Sequence, residues 1–269
     1  MQYDPIKRSL GSIFNRTPFL RIFFYRMLDL LLLRSWHIRR ELRQLDRLGF
    51  QPSSIADAGS GFGQYVHFLS RKYPGAKITG LDIKQEQVDD CNRFFTSIGK
   101  QDRVSFRYAD LTTLDIREEH ELVLCVDVLE HIEDDRGVMK NLCRALIPGG
   151  ILLISTPSDR GGSDVHHEHD TSFIEEHVRD GYGIEEIREK LISSGFGEVD
   201  ARYSYGRPGK LSWKLSMKFP IMLANAGRLF LLLLPFYYLV IYPVCFFLNL
   251  ADIRGRHSTG TGLIVKCRK

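Results

Sequence analysis

The chain has 269 residues, 43% hydrophobic and 26% charged, which excludes a disordered or low-complexity protein and leaves room for one packed domain with additions. Its five cysteines, Cys91, Cys125, Cys143, Cys245 and Cys267, are odd in number and contain no C-x-x-C pair, so a disulfide framework is not expected and a reduced, cytoplasm-facing protein is. The net charge of +4 conceals a segregation: residues 1–50 hold 10 Lys/Arg against 4 Asp/Glu, residues 201–269 hold 11 against 1, and the middle is acidic. In both basic ends the cations are interleaved with Leu and Phe runs, which fits an anionic membrane surface better than nucleic acid.

In chain order, residues 1–12 read as irregular. Phe14 to Leu33 reads as an apolar helix interrupted by Arg16, Arg21, Arg26 and Asp29. Each arginine costs about 2.5–3.5 kcal/mol at a bilayer centre, so this helix is expected to lie on a membrane or cap the domain rather than span. No small-residue cleavage site follows it, which argues against a signal peptide. Ser35 is the expected N-cap of a second helix running to Leu48.

From residue 50, strand and helix alternate. Strands are expected at 53–57, 77–82, 104–109, 121–126 and 150–155, helices at 63–73, 84–98 and 134–146, then a long loop, a helix over 183–195 and a strand over 197–205. The chain closes on a strand at Gly262–Cys267. Between these last two strands, Leu229 to Ala251 is a run of 23 residues without a charge. It is long enough to span a bilayer. If the strands at 197–205 and 262–267 belong to one sheet, both ends of the insertion must leave and return on the same side. A helical hairpin dipping into a membrane is expected. Pro235 and Pro243 are expected to break its apolar half, and Lys210, Lys214, Lys218, Arg228, Arg254 and Arg256 to hold its base at the headgroups. A buried helix pair or a homodimer contact is the alternative.

The first strand–turn–helix carries the chemistry. Ile55-Ala-Asp-Ala-Gly-Ser-Gly-Phe-Gly-Gln64 joins a buried strand to a helix through Gly59, Gly61 and Gly63, and glycines let a backbone approach a ligand closely. Asp82 ends the next apolar run, where a carboxylate can accept both hydroxyls of a ribose. The dinucleotide pattern requires a glycine where this chain has Gln64, which disfavours a nicotinamide oxidoreductase, and no Lys-Ser/Thr follows to make a P-loop. An acidic, lysine-free loop suits a phosphate-free ligand with a positive centre, such as S-adenosylmethionine. A glycine turn in some other α/β domain is the bland alternative.

Further motifs stand in order: Asp57-Ala-Gly-Ser-Gly-Phe-Gly63, Gly80-Leu-Asp-Ile83, Tyr108-Ala-Asp-Leu111, Asp127-Val-Leu-Glu-His-Ile-Glu-Asp134, Leu146-Ile-Pro-Gly-Gly-Ile-Leu152 and Ser155-Thr-Pro157. In these the chain resembles the class I S-adenosylmethionine-dependent methyltransferases, in the branch acting on small molecules, quinone precursors and lipids. The resemblance implies an α/β fold: a doubly wound, mostly parallel, seven-stranded Rossmann-like sheet. It would carry N-terminal helices at 1–49, a catalytic domain at 50–207 plus 258–269, and the apolar hairpin at 208–257 inserted before the last, antiparallel strand.

It further implies that S-adenosyl-L-methionine is held by Asp57, Gly59, Gly61, Gly63, Asp82, Ile83, Asp110, Leu111, Asp127 and Val128. Ile83 would pack on the adenine, Asp110 would accept its amino group with Leu111 donating an N–H, and Asp127 and Val128 would lie under the methionine end. Asp110 as a turn cap is the alternative. His131 is the candidate base for an oxygen nucleophile, against a histidine that merely starts a helix. The run His166-His-Glu-His-Asp170 is read as part of a loop over the substrate rather than a metal site, and His169, His177 and Tyr182 are candidates to line the acceptor pocket. The expected protein is a methyltransferase at the cytoplasmic face of a membrane, with an apolar or lipid-like acceptor and no nucleic-acid partner. A soluble enzyme with a dimerising insertion and a non-catalytic membrane scaffold are its rivals.

Overall fold

The computed structural model describes residues 17–161, 178–226 and 228–269, and within the described helices it leaves out the side chains of 224–231. Seven strands form one sheet: β1 Ser54–Ala58, β2 Lys77–Asp82, β3 Val104–Tyr108, β4 His120–Val126, β5 Leu146–Pro157, β6 Glu198–Ser204 and β7 Gly262–Arg268. Their order is β3-β2-β1-β4-β5-β7-β6. β7 runs antiparallel to both β5 and β6, and the pairs among β1 to β5 are parallel. The central strands are apolar on both faces because each face carries helices. One face buries Val66, Leu69, Phe94 and Phe95, and the other Val138, Met139, Leu142, Ile187 and Leu191. These come from α3 Gln64–Lys72 and α4 Gln85–Ser97 on the first face, and α5 Asp135–Ala145 and α6 Ile184–Ser193 on the second.

Two helices precede the sheet, with a boundary that differs from the expected one. α1 spans Pro18–Leu31, capped by the Thr17 hydroxyl, which accepts from Leu20 N, and begun by Pro18. α2 spans Leu33–Arg47, so Ser35 lies inside it rather than at its N-cap. The extended Leu32 divides the two, and both Leu32 and Leu33 turn inward. Tertiary burial therefore outweighs the capping preference of Ser35. α2 packs on the sheet through Ile38, Leu42 and Leu45, while α1 buries Tyr25 and Arg21 and leaves Phe19, Phe23 and Leu30 exposed.

Between β6 and β7 the chain forms a helical hairpin. Its first arm is α7 Arg207–Trp213, a π-helical turn Lys214–Lys218 and α8 Phe219–Ala226; its second arm is α9 Arg228–Arg254. The arms run antiparallel: Tyr237 donates to Leu215 O and Tyr238 to Ser216 O, both at 2.7 Å, and Ser212 Oγ donates to Cys245 O at 3.5 Å. Both tyrosines thus reach carbonyls of the π-helical turn, where the regular hydrogen-bond ladder is disturbed. Two expectations are corrected here. α9 is continuous through Pro235 and Pro243: both are exposed, and bonds at Tyr237, Tyr238 and Cys245 hold the helix to the first arm beside them. Arg228 opens α9 at the hairpin tip, not at its base.

Candidate active site

The site lies at the carboxyl edge of the sheet, where the strand order reverses between β1 and β4. The loop after β1 is held to β2 by backbone bonds from Gly59 N and Ser60 N to Leu81 O, at 2.8 and 2.9 Å. Gly59, Gly61 and Gly63 all have positive φ. At Gly59 the requirement is twofold: φ is +77°, and a Cβ would sit 2.3 Å from Val128 Cγ2. Val128 is therefore the floor against which this turn is pressed.

Asp82 ends β2 with both carboxylate oxygens anchored. Oδ2 accepts from Gly61 N at 2.7 Å and Oδ1 from Lys84 N at 2.9 Å. A carboxylate has about four acceptor positions, so two remain for ligand hydroxyls. Asp57, in β1, is 1% exposed, and its Oδ2 has no partner among the described residues. Burial, reinforced by Asp82, pushes its pKa up to about 8. An orphaned acid beside a fixed carboxylate makes the inner end of the crevice attractive to a cationic or hydrogen-bond-donating ligand. Ile83, 53% exposed, offers an uncovered apolar side chain just beyond Asp82.

Asp127 follows β4 with φ +51°, a strained value for a non-glycine residue. Arg34 pairs with its carboxylate. The break at Leu32 makes this possible, because it places Arg34 in the first turn of α2. There its backbone N–H lacks a helical partner and donates to the Tyr205 hydroxyl at 3.0 Å. Tyr205 has φ +54° and follows β6. Beside this group, Glu130 is 1% exposed, accepts from Thr156 Oγ1 at 3.1 Å, and is raised to about 8 by burial and by Asp127. The site therefore combines an ion pair, a proton-holding acid and two tyrosine hydroxyls, since Tyr65 also lies 3.2 Å from Ser35 Oγ.

Other expected residues are placed as follows. Leu111 is buried in the turn three residues after β3. Asp110 Oδ1 accepts from Thr112 N at 2.9 Å and from Thr112 Oγ1 at 2.7 Å, which is the turn-capping alternative. His131 is exposed in the short 3₁₀ turn Leu129–His131. Tyr182 does not line a pocket: it is fully buried in the core, and its hydroxyl donates to Asp135 Oδ2 at 2.8 Å. The His166–Asp170 run, including His169, and His177 lie outside the described residues. Among the described residues there is no cluster suited to a metal ion. Sequence reading missed Arg34, Tyr205 and Glu130. Only Glu130 had a local signal, its place within the motif after β4.

Residues 56–154 match the family model described as a methyltransferase domain. The chain carries an S-adenosylmethionine-dependent methyltransferase domain. Similar proteins include methyltransferase GfsG of Streptomyces halstedii, 32% identical over 41% of this chain and 40% of the relative. A probable chloroplastic tocopherol O-methyltransferase of Oryza sativa is 30% identical over 45% of this chain and 36% of its own length. The matches thus span less than half the length of these relatives. In fold, the domain resembles phosphoethanolamine N-methyltransferase 2 of Haemonchus contortus, solved with S-adenosyl-L-methionine (TM-score 0.60, 16% identity, 91% of this chain and 60% of that one). It also resembles a sarcosine dimethylglycine methyltransferase homologue from Galdieria sulphuraria (TM-score 0.56, 18% identity, 87% and 83%). The methyltransferase domain's glycine turn, Asp82 and orphaned Asp57 suit the ribose and the positive centre of S-adenosylmethionine.

Proposed function

We propose that this protein transfers a methyl group from S-adenosyl-L-methionine to an apolar or lipid-like small molecule at the cytoplasmic face of a membrane. The observation that carries the reading is the attachment of an exposed apolar hairpin directly behind the cofactor edge. Leu232–Arg254 of α9 is long and apolar enough to cross a membrane, and only 11% of its apolar window is buried. Leu232, Leu233, Phe236, Leu239, Val240 and Phe247 each stand more than half exposed. Leaving such a surface in water is unfavourable at about 25 cal/mol per Å². At the hairpin base, Asp252 Oδ1 accepts from Tyr205 N at 3.2 Å, and Tyr205 in turn touches Arg34 beside Asp127. An acceptor held in the acyl layer would then meet the cofactor without crossing water.

A probable tocopherol O-methyltransferase and a ubiquinone biosynthesis O-methyltransferase are among the similar proteins, which supports an apolar acceptor. Catalysis by positioning fits the site: in-line placement of the nucleophile supplies up to about 7–11 kcal/mol. Glu130, holding a proton near neutral pH, and His131 are the groups near the site suited to proton traffic.

The test is labelled-methyl transfer to a membrane lipid extract, together with vesicle flotation. The full chain should float with phosphatidylcholine vesicles and label an organic-soluble product. A variant lacking 211–250 that remains folded should lose both. Retention of the full chain in the supernatant as a dimer would replace the membrane by a second copy, and absence of any labelled acceptor would leave a scaffold.

A further inference from the structure

At the base of the hairpin lies a cleft of about 520 Å³, with no residue of the glycine turn in its lining. It opens between α2, β6 and the segment that leaves α9, and Arg40, Glu41, Arg202, Tyr203, Arg256 and His257 line it. Three guanidiniums from three separate elements face one space. Their charges are poorly matched by acids. Glu41, 3% exposed, accepts from Arg202 at 2.6 Å and lies 3.6 Å from Lys266. Asp200, also in the lining, is occupied by the same Lys266 at 3.5 Å. Neither Arg40 nor Arg256 forms an ion pair among the described residues. Arg40 donates from Nη1 to Ile253 O, a carbonyl in the last turn of α9, which uses one of its five N–H groups. Burial and then the proximity of Arg202 depress its basicity; Glu41 offsets part of this, and Arg256 adds to the repulsion. A dianion or monoanion with several oxygens would relieve that repulsion, and guanidinium forks are the preferred partners of phosphate oxygens.

We propose that this cleft is a phosphate-binding site, filled by the phosphate of an anionic lipid headgroup or by free phosphate. The headgroup source rests on the membrane reading above, because only a hairpin immersed from its tip brings its base, and so Arg256, to headgroup level. The free-phosphate source does not depend on it. With a headgroup bound, Arg40 and Arg256 would fix the rotation of the domain on the membrane as well as its depth.

The experiment compares the full chain with Arg40→Gln/Arg256→Gln, with Arg256→Gln alone and with Lys210→Gln/Arg254→Gln. The last removes two charges near the same base but outside the cleft lining. Binding is measured to phosphatidylcholine vesicles with and without about one-third phosphatidic acid, and thermal stability with inorganic phosphate against chloride at matched ionic strength. Direct charge-assisted hydrogen bonds to phosphate oxygens add to the diffuse attraction of any surface cation, so the cleft double variant should lose at least about 30-fold of the preference for phosphatidic acid, well beyond the loss in Lys210→Gln/Arg254→Gln. Its binding to neutral vesicles should be unchanged. Arg256→Gln, which removes an exposed residue, guards against misfolding and should lose about fivefold. A phosphate-dependent rise in Tm in the parent, absent in the cleft variants, identifies free phosphate as a ligand and also supports the site.

Equal losses in the cleft and Lys210/Arg254 variants mean diffuse attraction and overturn the proposal. So does the absence of both a phosphatidic acid preference and a phosphate shift in the parent. Failure of the parent to bind neutral vesicles refutes the hairpin reading, while the phosphate arm still decides the cleft.

Discussion

His37 Nε2 lies 2.9 Å from Asp252 Oδ1, and neither side chain is exposed to solvent. This contact joins the second N-terminal helix to the base of the hairpin, 215 residues away in sequence. Asp252 also accepts from Gly209 N at 2.9 Å and from Tyr205 N at 3.2 Å, so one carboxylate fastens both arms of the hairpin to the catalytic domain. Its loss would leave the buried His37 ring and the Gly209 and Tyr205 N–H groups without their acceptor, at about 1–3 kcal/mol for each unsatisfied group. Asp252→Ala is expected to lose stability on that scale in urea unfolding and to make the chain around Arg207–Trp213 sensitive to protease. Full retention of both would show that the hairpin is fastened by its apolar contacts instead.

Acid should weaken the fold through two buried imidazoles, His37 at the hairpin base and His67 in α3. Burial holds His37 below its usual value despite Asp252, and burial with Lys100, Arg71 and Arg26 lowers His67 to about 4. In the unfolded chain both imidazoles protonate near pH 6.5. Their contribution is therefore fully present above about pH 6.5 and is lost as pH falls toward the folded values, because the unfolded state then binds more protons. Stability measured by denaturant titration should decline between about pH 6.5 and pH 4, and His67→Gln should flatten the decline.

Asp57 predicts the opposite slope. Its folded pKa, pushed to about 8 by burial and Asp82, exceeds the unfolded value near 3.9. Between these values the folded state binds more protons, so the ligand-free protein loses stability as pH rises through them, and the cost is complete above about pH 8. Asp57→Asn should melt several degrees higher than the parent at pH 9, and the difference should shrink steadily toward pH 4, at about 2–4 °C per kcal/mol for a chain of this size. An equal difference at both pH values would mean that Asp57 is already neutral or already satisfied.

Asp82→Ala should abolish the cradle for the ribose. The two backbone donors now fixed at Gly61 and Lys84 lose their acceptor, and the ligand loses charge-assisted hydrogen bonds worth about 1.5–3 kcal/mol each. Calorimetric titration with S-adenosylmethionine should show affinity reduced at least about tenfold, with NADH giving no heat in either protein. Unchanged affinity would move the ribose away from β2.

The Gly59–Val128 contact can be dissected by a double-mutant cycle. Gly59→Ala forces a Cβ within 2.3 Å of Val128 Cγ2 and places alanine at φ +77°. A cost of about 2 kcal/mol or more in stability is expected, since overpacking alone costs about 1–3. Adding Val128→Ala should recover the steric part and leave the backbone part, so the two changes should be non-additive. Additive losses would separate the two residues energetically.

The order of strands and helices was legible in the residues because each element carries its own period and punctuation. β2 matches its expected range of 77–82 and the element ends next to it differ by a residue, whereas β5 begins at Leu146, four residues before its expected start. The glycine turn and Asp82 were legible for the same local reason: a strand end, a positive-φ turn and a carboxylate at the next strand end are all written within 30 residues. The hairpin was legible from the length of its uncharged run and from the requirement that its ends return to one sheet. What the sequence could not contain is long-range placement. Arg34 meets Asp127 only because burial of Leu32 and Leu33 breaks the N-terminal helix in front of it. Tyr182 enters the core because Asp135, 47 residues earlier, accepts its hydroxyl there. Arg228 stands at the tip because the two arms run antiparallel, with Tyr237 and Tyr238 reaching back to Leu215 and Ser216. Local propensity selects each element, but which side chains become neighbours depends on which surfaces the whole chain can bury together.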